Sequence, residues 1–206
     1  MALRKATTIP LQSGAADESS ALESLVRQLS GPDVEERRHA ARNLANRPDA
    51  AAVLVSRLAQ ETEPDVREAI ATSLSAIGGR EAVEGLIPYL SSDDAALRNT
   101  AIEILQHLPA DVASHVDGLL ANPDPDLRIF AVNIIEALSH PRLETWLSDI
   151  LRNDPHVNVV GAALNLLSEI ATAAVLPAVE QARQRFAGEP YIDFACRAVE
   201  KRARES

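Results

Sequence analysis

Apolar and polar positions along the chain follow the period of an α-helix, in short stretches separated by turn residues. In residues 64–77 the apolar positions recur every three or four residues, so they share one face of a helix. Pro64 stands at the first helical position, and Gly78-Gly79 is a good signal for the end of the helix. Alternation with a period of two, which indicates β-strands, does not occur between turn signals. The pattern predicts an all-α chain.

The same pattern returns about every 31 residues. Proline stands at the start of five of the six predicted second helices. Four of the six, including the one without proline, align on arginines at intervals of 30, 31 and 30 residues. A pair of helices cannot bury its apolar stripe alone, whereas stacked neighbours share a continuous core. We therefore predict a loosely ordered lead-in at residues 1–19 and a repeat domain at residues 20–206. Its six units lie at about 21–48, 49–79, 80–108, 109–139, 140–172 and 173–206.

Residues 64–90, with the sequence PDVREAIATSLSAIGGREAVEGLIPYL, resemble the HEAT-like repeats of the phycobilisome-lyase type. The resemblance covers about residues 21–206. It implies a right-handed α–α superhelix, an α-solenoid of about six helix pairs, whose second helices line the concave surface. The period is shorter than the roughly 40–47 residues typical of HEAT and armadillo repeats. Val160 and Ile192 also replace the arginine in the last two units.

Composition and charge narrow the classes of function. The chain has 20 Lys and Arg against 30 Asp and Glu, a net charge of −10, which disfavours binding to nucleic acid. Cys196 is the single cysteine, so there is no internal disulfide and no cysteine-based zinc site. No apolar run approaches the roughly 20 residues that span a bilayer, and residues 1–17 show no signal peptide. We expect a cytoplasmic protein without a membrane span.

The arginine column is interpreted as a structural ladder. An aspartate precedes each arginine by two or four residues, where it complements the helix dipole. A guanidinium fork can bridge to the adjacent repeat, and HEAT-like families commonly use such a ladder to fix the stacking of repeats. Contact with a ligand is the alternative. The ladder comprises Arg37, Arg67, Arg98 and Arg128 with Asp33, Asp65, Asp94 and Asp126.

A polar column on the predicted second helices is the candidate binding surface. Its members include Asn133 and Asn165, which are poor helix formers and were therefore not selected by local propensity. An amide can both donate and accept hydrogen bonds, so such a column could hold the backbone of an extended peptide, and in this it resembles armadillo repeats. A merely solvated face is the alternative. The candidate partner-binding residues are Glu103, Ile129, Asn133, Glu136, Asn165 and the single tryptophan, Trp146, whose variable column suggests partial exposure.

Signals for catalysis are weak. None of the five histidines is followed by glutamate, and the chain has no His-Glu-x-x-His motif, phosphate-binding glycine loop or Gly-x-Ser-x-Gly elbow. We expect no enzyme activity and no cofactor. The predicted function is a protein–protein interaction scaffold or adaptor that binds a peptide or protein on its concave face, with the oligomeric state left open. The resemblance also implies an alternative, a bilin lyase-like or chaperone subunit for cofactor attachment, although a shared repeat does not transfer an activity.

Overall fold

A computed structural model describes residues 13–205 of the chain, with side chains from residue 18 onward. The described residues form α-helices and short 3-10 segments and contain no strand, so the prediction of an all-α chain is confirmed. Of the predicted lead-in at residues 1–19, residues 1–12 lie outside the described part, and residues 13–19 belong to the first helix. The chain divides after Ile77 into two compact units.

Unit 1 contains two consecutive helix pairs and unit 2 contains four. In unit 1 the helices are α1 (Ser13–Leu29), α2 (Val34–Asn43), α3 (Ala51–Leu58) and α4 (Pro64–Ile77). In unit 2 they are α5 (Gly79–Leu86), α6 (Ala95–Gln106), α7 (Pro109–Val112), α8 (Val116–Leu120), α9 (Pro125–Glu136), α10 (Leu143–Asn153), α11 (Val157–Ile170), α12 (Leu176–Arg185) and α13 (Pro190–Glu205). The second helices of the six pairs are α2, α4, α6, α9, α11 and α13.

Local chemistry sets the helix boundaries. The carboxylate of Asp33 accepts a hydrogen bond from the main-chain N–H of Glu36 at 2.9 Å and so caps α2. Asp94 caps α6 and Asp124 caps α9 in the same way. After α4 the chain turns at Gly78, whose φ of 59° lies in the left-handed region that favours glycine.

Each unit has an interior of aliphatic side chains. In unit 1, α2 packs between α1 and α4, and the Ser73 hydroxyl donates to the Ala41 carbonyl at 2.8 Å. In unit 2, α11 packs against α9, α10 and α13. Val160, at the position where earlier repeats carry arginine, is fully buried there. No helix in the described part is both long and apolar enough to cross a membrane.

Arg37 joins the two helix pairs of unit 1. Its Nε and Nη2 donate to the two carboxylate oxygens of Glu61 at 2.9 and 3.1 Å, and its Nη1 donates to the carbonyls of Gly31 and Pro32. Both charged side chains are buried. Arg57 adds a second guanidinium, with its Nη2 2.6 Å from the Glu61 carboxylate. The acid that pairs with Arg37 therefore belongs to the following repeat. Asp33, the acid that the sequence placed in the ladder with Arg37, caps α2 instead.

Arg128 repeats this arrangement in unit 2. Its Nε and Nη2 donate to the Asp154 carboxylate at 2.6 and 2.9 Å, and its Nη1 donates to the carbonyls of Asn122 and Pro123. Asp126, the acid in the first turn of its own helix, is exposed.

The two remaining ladder arginines also donate to main-chain carbonyls in the turn before their helix. Arg67 Nε donates to the carbonyl of Glu61, and Arg98 Nη1 donates to that of Ser92, both at 2.6 Å. All four ladder arginines thus hold the turn before their own helix. Asp65, like Asp126, is exposed in the first turn of its helix.

Candidate functional site

A groove lies on the second helices of unit 2, with a cavity volume of about 460 Å³. It brings together four of the six candidate partner-binding residues. Its lining comprises Ile129, Val132, Asn133 and Glu136 of α9, Asn158, Gly161, Ala162, Asn165, Leu166 and Glu169 of α11, and Tyr191 of α13. We call it the α9–α11 groove.

The groove follows from helical periodicity. On each of the two main helices the lining positions follow the pattern i, i+3, i+4 and i+7, so they share one face. The two helices begin side by side, because Arg128 near the start of α9 contacts Asp154 just before α11. They also lie in contact along their length. Matching positions, such as Asn133 and Asn165, therefore face the same groove.

The arrangement gives the groove three levels along the helices. Asn158 stands at the start of α11, and one turn further along lies an apolar level that contains Ile129, Gly161 and Tyr191. An amide level in the middle contains Asn133 and Asn165. A carboxylate level at the end contains Glu136 and Glu169, each in the last turn of its helix.

Tyr191 fits against a glycine. A Cβ atom added at Gly161 would lie 2.8 Å from the Tyr191 Cε1, so any larger residue would displace the ring. The Tyr191 hydroxyl donates to the Asn165 Oδ1 at 2.7 Å, while half of the tyrosine side chain stays exposed. Because the Oδ1 is engaged, the Asn165 amide group keeps its two N–H donors for another partner.

Asn133, on α9, is held through its main chain. Gln106 of α6 donates from Nε2 to the main-chain carbonyl of Asn133 at 2.8 Å. The amide side chain of Asn133 is half-buried and makes no hydrogen bond within the described part of the chain. Glu103, the equivalent position on α6, is exposed but does not line the groove.

The carboxylates of Glu136 and Glu169 are exposed and form no ion pair with the described residues. No lysine or arginine lines the groove. Arg202 of α13 lies close to this end of the groove, because its Nε donates to the main-chain carbonyl of Glu169 at 2.7 Å. Sequence reasoning missed Glu169 and Tyr191. Gly161, a small residue inside a helix, was the available signal for a close approach at this point.

Trp146 lies outside the α9–α11 groove, and the expectation that it is partly exposed is wrong. The residue is 3% exposed. Its ring stacks on His140 at 4.7 Å between centroids, with the Arg142 guanidinium 4.9 Å from the ring centroid. Its Nε1 donates to the Asp117 carboxylate at 2.8 Å. Hydrogen bonds from Arg142 and Trp146 lower the pKa of Asp117.

Trp146 also borders a second cavity of about 400 Å³, which is lined by residues of the α8–α9 and α10–α11 pairs. The buried ion pair between Arg128 and Asp154 forms part of its lining. The charged side chains in this cavity are already committed to contacts within the chain, whereas Asn153 makes no hydrogen bond with the described residues. Asp117 binds Arg142 and Trp146, and Asp149 binds Arg152.

Other reactive groups of the described residues do not converge. No group of three or more His, Cys, Asp or Glu side chains there is arranged to hold a metal ion. Cys196 is fully buried, and burial raises the pKa of its thiol to about 11. A thiol with so high a pKa is a poor nucleophile near neutral pH.

The helix pairs define the chain as an α-solenoid repeat protein, as predicted. The chain matches the HEAT repeats family over residues 22–106 and 112–186. It therefore belongs to the HEAT repeat family. No curated protein sequence matches the chain significantly.

Solved structures with similar folds include an archaeal HEAT-like repeats protein from Thermococcus onnurineus NA1. It is 17% identical, with 93% of this chain and 90% of that chain covered and a TM-score of 0.50. A designed armadillo repeat protein is 15% identical, with coverage of 88% and 99% and a TM-score of 0.39. The CpcE–CpcF complex of phycocyanin lyase from Nostoc is 18% identical, with coverage of 96% and 99% and a TM-score of 0.36. At 17% identity the archaeal protein shows the fold alone. The other two have TM-scores below 0.5, so their likeness supports no argument about this chain.

Proposed function

We propose that the chain is a non-catalytic protein-interaction scaffold that binds an extended segment of another protein in the α9–α11 groove. The observation that carries the proposal is the pair Asn133 and Asn165, which stand at matching positions of two adjacent second helices and both line the groove. Membership of the HEAT repeat family is consistent with this role, because stacked helical repeats offer continuous binding surfaces.

The asparagines suit a polypeptide backbone. Adjacent packed helices lie about 8–10 Å apart, which is the length of about three residues of an extended chain at roughly 3.3 Å per residue. Both amides can therefore engage one short segment. Each can donate to a backbone carbonyl or, for Asn133, also accept from an N–H. Such hydrogen bonds are independent of the partner's side chains, as a scaffold with a variable partner requires.

The test uses peptides selected from a displayed library of random linear octapeptides on the wild-type chain. We expect the double substitution Asn133→Ala and Asn165→Ala to weaken binding of the selected peptides about 5- to 150-fold, since each lost hydrogen bond contributes about 0.5–1.5 kcal/mol. The thermal stability should change little, because the better helix propensity of alanine offsets the loss of the exposed hydrogen bond between Tyr191 and Asn165. Fluorescence anisotropy measures the affinity and circular dichroism the stability.

The matched control is Asn43→Ala with Asn46→Ala, two exposed asparagines of unit 1 that make no side-chain hydrogen bond within the described residues. This variant should bind the peptides as the wild type does. Equal affinity of the wild type and the groove variant would refute the proposed function.

The alternative of a bilin lyase-like or chaperone subunit has no feature of the groove in its favour. It rests on the resemblance between repeats, and a repeat fold hosts many unrelated functions.

A further inference from the structure

We propose that the segment bound in the α9–α11 groove carries a basic side chain next to an apolar side chain in its sequence. The inference rests on the proposed function and adds the chemistry of the partner. It follows from the order of the three levels of the groove and from the geometry of an extended chain.

The carboxylate level favours a cation. Glu136 and Glu169 stand in the last turns of their helices, where the helix dipole adds negative potential. Neither carboxylate forms an ion pair among the described residues, and no cation lines the groove. Arg202 lies near this level, but its hydrogen bond goes to a main-chain carbonyl. The two carboxylates therefore have no paired cation among the described residues, so a lysine or arginine from the partner would complement their charge.

The opposite level favours an apolar group. Ile129 and the tyrosine ring offer apolar surface there, and Gly161 adds no side chain. Tyr191 is 49% exposed, so part of its ring remains to be covered. An aliphatic or aromatic side chain of the partner would remove this surface from water.

The geometry of an extended chain places the basic side chain and the apolar side chain on neighbouring residues of the partner. When the asparagines bind the main chain at the amide level, successive side chains of an extended segment point to opposite sides. One side faces the apolar level and the other the carboxylate level. At about 1.5 Å per residue, these levels lie about 6 Å and about 4.5 Å from Asn133 along α9, within reach of ordinary side chains.

The experiment repeats the octapeptide selection on three proteins. They are the wild type, the groove variant Glu136→Gln with Glu169→Gln, and the control variant Glu23→Gln with Glu81→Gln. The control removes two exposed carboxylates outside the groove and changes the net charge equally. All four substitutions are at exposed positions, so circular dichroism should show unchanged folding.

We expect the wild type and the control to enrich peptides with Lys or Arg adjacent to an apolar residue. The groove variant should lose the preference for the basic residue and bind the wild-type peptides about 2- to 30-fold more weakly. This difference should shrink as salt concentration rises, because exposed charges are screened.

Two results would overturn the inference. If the selected peptides need Asn133 and Asn165 but carry basic residues only at library frequency, the proposed function stands and this inference is wrong. The same holds if the two glutamine variants bind equally. If no selected peptide depends on the asparagines, the proposed function fails and this inference fails with it.

Discussion

Replacement of Glu61 by glutamine tests the buried ion pair that joins the helix pairs of unit 1. Glu61 is 1% exposed and accepts hydrogen bonds from Arg37, Arg57 and the main-chain N–H groups of Thr62 and Glu63. Burial by itself would raise the pKa of this carboxyl, but the hydrogen bonds outweigh it and lower the pKa to about 2. Glutamine keeps the size of the side chain and removes the charge, so the Arg37 guanidinium loses its buried counter-ion.

The magnitude follows from the pKa. A drop from the ordinary value of 4.5 to about 2 corresponds to about 3 kcal/mol of stability when the carboxylate is charged. Losing one partner of a buried pair costs about 3–5 kcal/mol in general, which agrees. Since the total free energy of unfolding of a domain is about 5–15 kcal/mol, Glu61→Gln should destabilise the chain severely.

The pH dependence has a definite sign. Because the pKa is lower in the folded state, the contribution of Glu61 is fully present above pH 4.5 and is lost as the pH falls towards about 2. The difference in the free energy of unfolding between wild type and variant should therefore fall from about 3 kcal/mol at pH 7 to about 1.5 kcal/mol at pH 3.

Urea denaturation followed by circular dichroism measures these free energies. Glu63→Gln is the matched control, because Glu63 is exposed two residues away and should change the stability by no more than about 0.5 kcal/mol. The reasoning is refuted if Glu61→Gln is no more destabilising than the control, or if its deficit is the same at pH 7 and pH 3.

Two further predictions concern unit 2. Gly161→Ala should weaken peptide binding, because the new Cβ displaces the Tyr191 ring and breaks its hydrogen bond to Asn165. The gain in helix propensity, up to about 1 kcal/mol, is offset by this loss. Unchanged peptide affinity by fluorescence anisotropy would count against the role of this ring. Trp146→Phe should lower the free energy of unfolding by about 1–2 kcal/mol, because it removes the hydrogen bond to Asp117 and part of a buried ring. A urea midpoint equal to that of the wild type would contradict this.

Much of the groove could be predicted from the sequence because the repeat itself encodes it. Asn133 and Asn165 stand 32 residues apart, at matching positions of predicted helices. Once stacking is assumed, such positions must be neighbours. The same logic identifies Ile129 and Glu136, since they share a helical face with Asn133.

Contacts made by irregular segments were beyond this logic. Glu61 and Asp154, the acids that pair with Arg37 and Arg128, lie just before a second helix, where the spacing between repeats varies. Trp146 is covered by His140 and Arg142, both in the turn between α9 and α10. Periodicity assigns faces of helices, whereas burial of a single side chain depends on what the neighbouring loop places over it.

A crystal structure of the chain with its tightest selected octapeptide tests the central claim most directly. We predict an extended peptide across α9 and α11, with main-chain groups within hydrogen-bond distance of the amides of Asn133 and Asn165. A peptide seated in the cavity beside Trp146, or one that contacts neither asparagine, would contradict the account.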